Sequence, residues 1–380
     1  MRLLAMRLVT MRLVAMRLGA IILVLWCGVG RAETGASMGA ADSTGVEPRP
    51  PGEPDKTPSP KRRPLKAPIV FGYVQVHYRM AFATGDDSLV DNDDFRVQRV
   101  RIGVKGDLSP KVGYDIEIDP RAPEITGVLR DAFITLKIIP RHDLRIGQQK
   151  TQFGYENRES STHLFAVNRS EVSDNLSRGV TLRDIGVGLI GNLSIGKGTR
   201  IEDAITVVNG AGMNVQADDT PTKNAWGRVG IRWKDDRRDR LARVGVSGGV
   251  GDMIDTGDDP VDPSDDFRII FNRYGVDVEL DYPKFFFSTE YVSGHQVDKS
   301  TGETDEPVGW YVNLEGKTRW RVGPIVRLDD FDDDFHRWTL GAYYGLPVEQ
   351  LRFMVNYEYR QRKDGVRGDD KLYFWTQVRF

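Results

Sequence analysis

The sequence contains a single cysteine and no long apolar segment. Cys27 lies in an N-terminal stretch that we expect to be removed, so the exported protein would have no thiol, disulfide or cysteine-based metal site. No run of about 20 apolar residues is present, which excludes a membrane-spanning helix. No stretch of the sequence has the 3.6-residue apolar period of a long amphipathic helix, so we do not expect a helical enzyme domain.

Histidine is also scarce, with five residues in the whole chain. A hydrolase of the serine type needs a nucleophile with a histidine partner. Only the sequence Ser161-Thr162-His163 offers that combination, and we interpret it as part of a polar loop. We therefore predict no enzyme activity, no cofactor and no metal site.

Residues 1–32 have the features of a signal peptide. An apolar core occupies residues 19–26, and Gly30-Arg31-Ala32 provides small residues at the spacing of a cleavage site. A lipoprotein is an alternative because of Cys27, but Trp26 stands where a small residue is expected. Removal of this segment takes away five arginines and moves the formal net charge from −2 to −7, which argues against nucleic acid as a partner.

Residues 33–68 are small, polar and rich in proline. Such a stretch buries no core and is expected to form an extended periplasmic tether. It is interpreted as a spacer, with contact to the cell wall as the alternative.

Residues 69–380 alternate between apolar and polar side chains with a period of two. The pattern predicts an all-β domain of about 16 strands, an even number as bacterial outer-membrane barrels require. Short connections such as 110–111 and 140–141 alternate with long acidic ones at 84–94, 211–223, 252–266, 297–307 and 329–335. A strand of a soluble sandwich would alternate in the same way, but the aromatic residues near the ends of the apolar faces favour a transmembrane antiparallel β-barrel.

The chain ends inside a strand, with Leu372, Phe374, Val378 and Phe380 on one face and Lys371, Gln377 and Arg379 on the other. An unpaired terminal strand exposes an open edge unless it pairs with the first strand and closes a barrel. The final Phe resembles the closing strand of outer-membrane barrels.

The polar face of the strands would line a water-filled lumen. Its basic candidates for contact with anions are Arg99, Arg101, Lys105, Arg145, Arg319, Arg321 and Arg327. An opposing acidic wall is predicted from Asp115, Glu117, Asp119, Asp277 and Glu279. Two walls of opposite sign would create a transverse field that filters solutes by charge.

The block from Phe95 to Gly188 resembles the phosphate-selective porin O and P family. The resemblance is carried by 95–106 (FRVQRVRIGVKG), 131–136 (DAFITL) and above all 144–156 (LRIGQQKTQFGYE), and weaker similarity reaches Phe380. It implies a sixteen-stranded barrel, usually trimeric, with the third long loop, residues 151–180, folded into the pore. It also places Lys150 near the constriction and adds it to the anion-contact candidates.

The chain departs from a phosphate channel in its acidic residues, which include Glu156, Glu159, Glu171 and Asp174 in that loop. We therefore expect an outer-membrane porin for passive diffusion of small hydrophilic solutes and ions, and the family resemblance adds the expectation of an anion or phosphate preference. The alternative is a non-conducting barrel that acts as an adhesin or envelope anchor. Expected partners are outer-membrane lipid, lipopolysaccharide and two further copies of the chain. The acidic loops are interpreted as solvated, with calcium binding as the alternative.

Overall fold

The computed structural model describes residues 67–82, 93–122, 125–177, 181–215, 222–255, 267–332, 335–345, 350–362 and 370–380. The predicted signal peptide, nearly all of the predicted tether and the acidic run 258–266 lie outside these residues. The described residues contain two short helices, α1 (Ile125–Val128) and α2 (Glu171–Asn175). In the described part of the chain, no helix has the length and hydropathy needed to span a membrane.

Seventeen strands form one antiparallel sheet. They are β1 (Ile69–Phe82), β2 (Asp94–Ser109), β3 (Val112–Ile118), β4 (Leu129–Ile139), β5 (His142–Lys150), β6 (Arg183–Gly196), β7 (Thr199–Val208), β8 (Asn224–Asp235), β9 (Arg240–Asp255), β10 (Phe267–Asp281), β11 (Phe285–Asp298), β12 (Thr304–Asp305), β13 (Val308–Gly316), β14 (Val322–Phe331), β15 (Phe335–Gly345), β16 (Leu351–Arg362) and β17 (Asp370–Arg379). The two-residue β12 pairs only with the end of β11, and β11 also pairs directly with β13. Sixteen strands therefore form the wall.

The sheet closes on itself, as the last strand predicted. Strand β1 pairs with β17 from Tyr73↔Arg379 to Phe82↔Asp370. Two further backbone bonds of 3.0 Å join Gly72 and Phe380 in both directions. The closed sheet leaves no unpaired edge strand, so the terminal strand is satisfied within the same chain.

The two faces of the wall differ as expected for a barrel with an aqueous interior. Side chains such as Ile134, Val246 and Phe374 are about half exposed on the outside. Alternate positions such as Gln75, Arg228 and Asp277 are buried inside. The apolar side chains therefore face outward and the polar side chains face the lumen.

The connections separate into two ends. The end at which β1 begins and β17 ends, here called the turn end, joins its strands by short turns such as 110–111, 140–141 and 197–198. The opposite end, here called the loop end, carries the longer connections, as predicted. One predicted loop is wrong: β14 continues to Phe331 and β15 begins at Phe335, so Asp329 and Asp330 are strand residues. The carboxylate of Asp329 is fully buried against Arg337, which an acidic run does not reveal.

The structure also corrects the placement of Arg319 and Arg321. Both lie in the exposed turn between β13 and β14, at the turn end, and not on the barrel wall. The guanidinium of Arg319 lies 4.8 Å from the ring of Trp320, and Arg321 has a positive φ of 60°. The alternating pattern ran on into this turn, so sequence periodicity placed both residues in the lumen.

Candidate functional site

The third long connection, residues 151–182, is here called the constriction loop, and its described residues (151–177, 181 and 182) lie inside the barrel. Most of its described side chains are buried, among them Phe153, Glu156, Val167 and Val172. Its backbone and side chains contact strands on the far wall, among them β14, β15 and β16. The lumen is therefore narrowed by a loop held on several sides.

The root of this loop is built by the sequence 147–154, the most specific part of the family resemblance. Gly147 has a φ of +129°, and a Cβ there would lie 2.2 Å from the carbonyl oxygen of Ala132. Gly154 has a φ of +66°, and a Cβ there would lie 2.1 Å from Oε1 of Glu290. Both positions therefore require glycine.

Lys150 stabilises the loop itself. Its Nζ donates to the carbonyl oxygens of Asn157, Arg158 and Glu159, at 3.2, 3.5 and 2.6 Å. These contacts hold the first turn of the constriction loop against β5. The ammonium is engaged by the loop backbone, so Lys150 acts as a structural cap and does not present itself to a solute.

A buried ion pair fixes the centre of the loop to the wall. Arg327 of β14 donates to Oε1 of Glu156 at 2.5 Å, and the two side chains are 1% and 3% exposed. The other carboxylate oxygen accepts from the backbone N–H and the hydroxyl of Ser170, at 2.8 and 2.7 Å. Burial opposes ionisation of Glu156, but Arg327 and Arg169 outweigh it and hold the pKa of Glu156 below its usual range.

A second ion-pair network fixes the start of helix α2. Arg337 of β15 contacts both carboxylate oxygens of Asp329, at 3.1 and 3.0 Å. It also donates to Glu171 at 2.9 Å and to the carbonyl oxygen of Arg169 at 2.7 Å. Because Asp329 and Arg337 are both deeply buried, this network ties the loop to two neighbouring strands.

Two apolar clusters inside the lumen complete the packing of the loop. The first joins loop residues to inward-facing apolar and aromatic side chains of the wall: Phe153, Val172, Leu176, Val208, Trp226, Phe271, Val292 and Tyr311. The second does the same on the other side: Phe165, Ala166, Val167, Ile325, Met354, Tyr373 and Trp375. Burial of these side chains removes apolar surface from water and stabilises the folded loop.

Polar side chains of the wall bind the loop backbone between these clusters. Gln75 donates to the carbonyl oxygen of Ser161 at 2.9 Å, and Arg352 donates to that of Leu164 at 3.0 Å. The amide of Asn356 accepts from the backbone N–H of Val167 at 2.9 Å. The loop is thus connected to strands β1, β14, β15 and β16.

A cavity of about 480 Å³ lies on the loop-end side of the constriction loop and is here called the loop-end cavity. Eight basic side chains line it: Arg99, Arg101, Arg130, Arg169, Arg183, Arg337, Arg360 and Lys371. Three acids line it with them: Glu171, Asp174 and Glu358. The lining therefore has a clear excess of positive charge.

Several of these arginines pair with carboxylates set behind the cavity surface. Arg101 and Arg130 each approach Asp119 at 3.5 Å, and the side chain of Asp119 is 1% exposed. Arg183 binds Asp131 with two hydrogen bonds of 3.0 and 2.7 Å. Nη1 of Arg101 has no hydrogen-bond partner within the described residues. These three arginines line the cavity, whereas Asp119 and Asp131 are not among its lining residues.

A second cavity of about 300 Å³ lies toward the turn end. Its charged lining is mainly acidic: Glu156, Glu159, Glu279, Asp281 and Glu315, with Lys317 and Arg352. The two cavities thus differ in sign along the barrel axis.

The sequence predicts a basic wall that faces an acidic wall across the lumen. The described lumen residues instead form acid–base pairs between nearby strands. Arg228 donates two hydrogen bonds to Asp277 at 2.8 and 2.5 Å, and Arg243 approaches Glu279 at 2.7 Å. Glu117 lies 4.0 Å from Arg101 and 3.6 Å from Arg183. Asp115 faces Lys105 across the β2–β3 register. Acids and bases on nearby strands neutralise each other, which avoids isolated buried charge.

Of the other basic residues predicted to contact anions, some line the loop-end cavity and some do not. Arg99 and Arg101 line the loop-end cavity. Arg327 is the loop anchor. Arg145 lies 4.9 Å from the ring of Phe133, and Lys105 lies 5.0 Å from that of Phe71. These last two do not line either of the two cavities.

Sequence reasoning missed Arg130, Arg183 and Arg337 as lumen residues. Each lies close to the loop-end terminus of its strand, where the alternation is interrupted by a bulge or a loop. For two of them the sequence carries a signal, an arginine beside a strand-end acid, in Arg130-Asp131 and Arg183-Asp184; Arg337 lies between His336 and Trp338 and has no such signal. Among the described residues, no group of three metal-ligating side chains is arranged to hold a metal ion.

Several solved structures of outer-membrane proteins share this architecture. Solved structures with the same fold include the anion-selective porin of Comamonas acidovorans (TM-score 0.58, 12% identity, 83% of this chain and 99% of that one). They also include a loop L8 deletion mutant of OmpT, an outer membrane protein of Vibrio cholerae (0.57, 9%, 83% and 99%). A third is the outer membrane channel DcaP of Acinetobacter baumannii (0.53, 15%, 82% and 97%). The comparison with curated proteins found no match.

The sequence model of the family described as phosphate-selective porin O and P matches residues 72–226. The matched part contains most of β1, strands β2 to β7, the root sequence 147–154 and the sequence of the constriction loop. The later similarity seen near Phe380 lies outside it. The match confirms, over this part of the chain, the resemblance to the family that the sequence motifs indicated, and the sixteen-stranded barrel has the fold of solved porin structures.

Proposed function

We propose that this porin is a passive diffusion channel that prefers small hydrophilic anions to cations. The observation that carries the proposal is the lining of the loop-end cavity, with eight basic and three acidic side chains beside the constriction loop. Arginine side chains bind oxyanions and chloride through charge-assisted hydrogen bonds, and several pairing carboxylates lie behind the cavity surface.

A strong preference for phosphate has less support. Lys150, which the family resemblance places near the constriction, donates to three loop carbonyls. Arg327 is engaged by Glu156, Asn168 and Asn313. The turn-end cavity is mainly acidic. We therefore propose a modest anion preference, with phosphate as one permeant anion among several.

Loop packing supports a second candidate, a non-conducting barrel that serves as an adhesin or envelope anchor. Two apolar clusters and two ion-pair networks hold the constriction loop inside the lumen. A loop held this firmly leaves limited space for solutes. For either function we propose an outer-membrane homotrimer in contact with lipid and lipopolysaccharide, as the family resemblance implies.

The test is the current through the purified, folded protein in a planar bilayer under a KCl gradient. A reversal potential of the sign that chloride permeation gives would support the anion channel, and added phosphate would then show whether it competes with chloride. A reversal potential near zero or of cation sign would overturn the anion preference. No current at all would overturn the channel and favour the anchor.

A further inference from the structure

A second segment at the loop end borders the loop-end cavity. Residues 209–215 follow β7, and Met213 lines the cavity together with Arg101, Arg130 and Arg183. This segment, here called the rim segment, is not part of the constriction loop. It lies on the side of the cavity formed by the ends of β4, β5 and β6.

Hydrogen bonds to three neighbouring strand ends and to the constriction loop fix the rim segment. The N–H of Gly210 donates to Asp184 at 2.8 Å, and that of Met213 donates to the hydroxyl of Thr181 at 3.0 Å. The N–H of Asn214 donates to Oε1 of Gln148 at 2.7 Å, and its side-chain amide donates to the carbonyl oxygen of Leu129 at 2.9 Å. A surface loop left to solvent would not need such a set of bonds.

Gln148 links the rim segment to the cavity arginines. Its amide donates to the carbonyl oxygens of Leu129 and Arg130, at 2.8 and 2.9 Å, while its oxygen accepts from Asn214. The side chain is 3% exposed. This glutamine belongs to the root sequence 147–154, so one motif positions both the constriction loop and the rim segment.

The backbone of the rim segment is shaped for a tight reversal. Gly210, Gly212 and Asn214 have φ values of 104°, 89° and 64°. Glycine adopts positive φ without penalty, and asparagine is among the side chains that tolerate it best. The reversal brings Sδ of Met213 to 3.5 Å from Nη1 of Arg130.

We propose that the rim segment is a second size-selecting element of the channel, with Met213 as the side chain that limits the opening beside Arg130. This rests on the proposed anion channel and adds a determinant of anion size to it. The thioether places a fixed apolar group among guanidinium groups, so it narrows the passage without changing its charge. Pore diameter and lining together decide which solutes pass.

The experiment compares bi-ionic reversal potentials with chloride on one side of the bilayer and gluconate, a larger organic anion, on the other. Met213→Ala removes the thioether, and Asn214→Gly keeps the positive φ but removes the side-chain bond to Leu129. Both keep the charge of the cavity. Ser300→Gly, in the exposed connection between β11 and β12, is the matched control.

We expect both rim variants to raise the permeability of gluconate relative to chloride by about twofold or more, and the control to leave it unchanged. A ratio equal to that of the native protein in both rim variants would overturn the inference. The KCl reversal potential of the native protein, measured in the same series, tests the anion channel itself. Failure of the channel proposal and failure of the rim proposal therefore give different results.

Discussion

The ion pair between Arg327 and Glu156 should control how often the constriction loop leaves its position. We consider Glu156→Gln, which removes the charge but keeps the shape of the side chain. The pair is 1% and 3% exposed, so water does not screen it. Loss of one partner from a buried pair costs about 3–5 kcal/mol, because the other charge remains buried. The lower end applies here, since the glutamine oxygen still accepts from Ser170.

A loss of about 3 kcal/mol corresponds to a roughly hundredfold increase in the opening equilibrium of the loop. The assay is the labelling rate of a thiol placed at Ser173, which is fully buried in helix α2. The variant Ser173→Cys is made in a chain with Cys27→Ser, and a thiol reagent reacts only when the loop opens. We expect Glu156→Gln to accelerate labelling by roughly a hundredfold.

The matched control is Glu159→Gln in the same loop. Its carboxylate is 31% exposed and lies 4.0 Å from Arg243, so its removal should change the labelling rate little. Equal labelling rates for Glu156→Gln and the parent would refute the idea that this pair fixes the loop. A large effect of the control would refute the distinction between the two carboxylates.

Two other predictions follow from the same loop and its root. Because the pKa of Glu156 is below its usual range, its stabilisation of the loop is complete above the unfolded value of about 4.3 and is lost as the pH falls through the lower folded pKa. Labelling of Ser173→Cys by a dipyridyl disulfide, normalised to a free thiol, should therefore be constant from about pH 7 to 5 and rise only in more acid solution; a rise centred near pH 6 would contradict this. Gly147→Ala should sharply reduce the yield of refolded barrel, seen as heat-modifiable migration in gels, because the new Cβ would lie 2.2 Å from a backbone oxygen; the control Gly248→Ala, where the added Cβ meets nothing within 4 Å, should fold normally.

The fold was largely predictable from local sequence. Period-two alternation identifies strands one at a time, and the apolar terminal strand predicts closure onto β1. The errors lie at strand ends. Asp329 was assigned to a loop because acids in a row suggest solvent, whereas its partner Arg337 buries it. Arg319 and Arg321 continue the alternation into a turn.

The site was less predictable because its contacts join distant parts of the chain. Glu156 and Arg327 are 171 residues apart, and no pattern in the sequence indicates that the two side chains form a pair. The family resemblance places Lys150 near the constriction, but it does not indicate the three loop carbonyl oxygens to which the side chain donates. Aromatic residues on the otherwise charged face, such as Trp226 and Tyr311, indicate that something apolar packs inside the lumen. An interpretation based on period-two alternation alone does not take them into account.

We propose that arginines of the loop-end cavity give the channel its anion preference. It is tested most directly by the chloride-to-potassium permeability ratio of two double variants, Arg99→Gln with Arg101→Gln in the cavity and Arg319→Gln with Arg321→Gln in the exposed turn. Both remove two positive charges, and circular dichroism would establish that each barrel is folded. We predict that the cavity variant lowers the ratio toward one while the turn variant keeps the native value. Equal changes in the two variants, or no change in the cavity variant, would contradict the account.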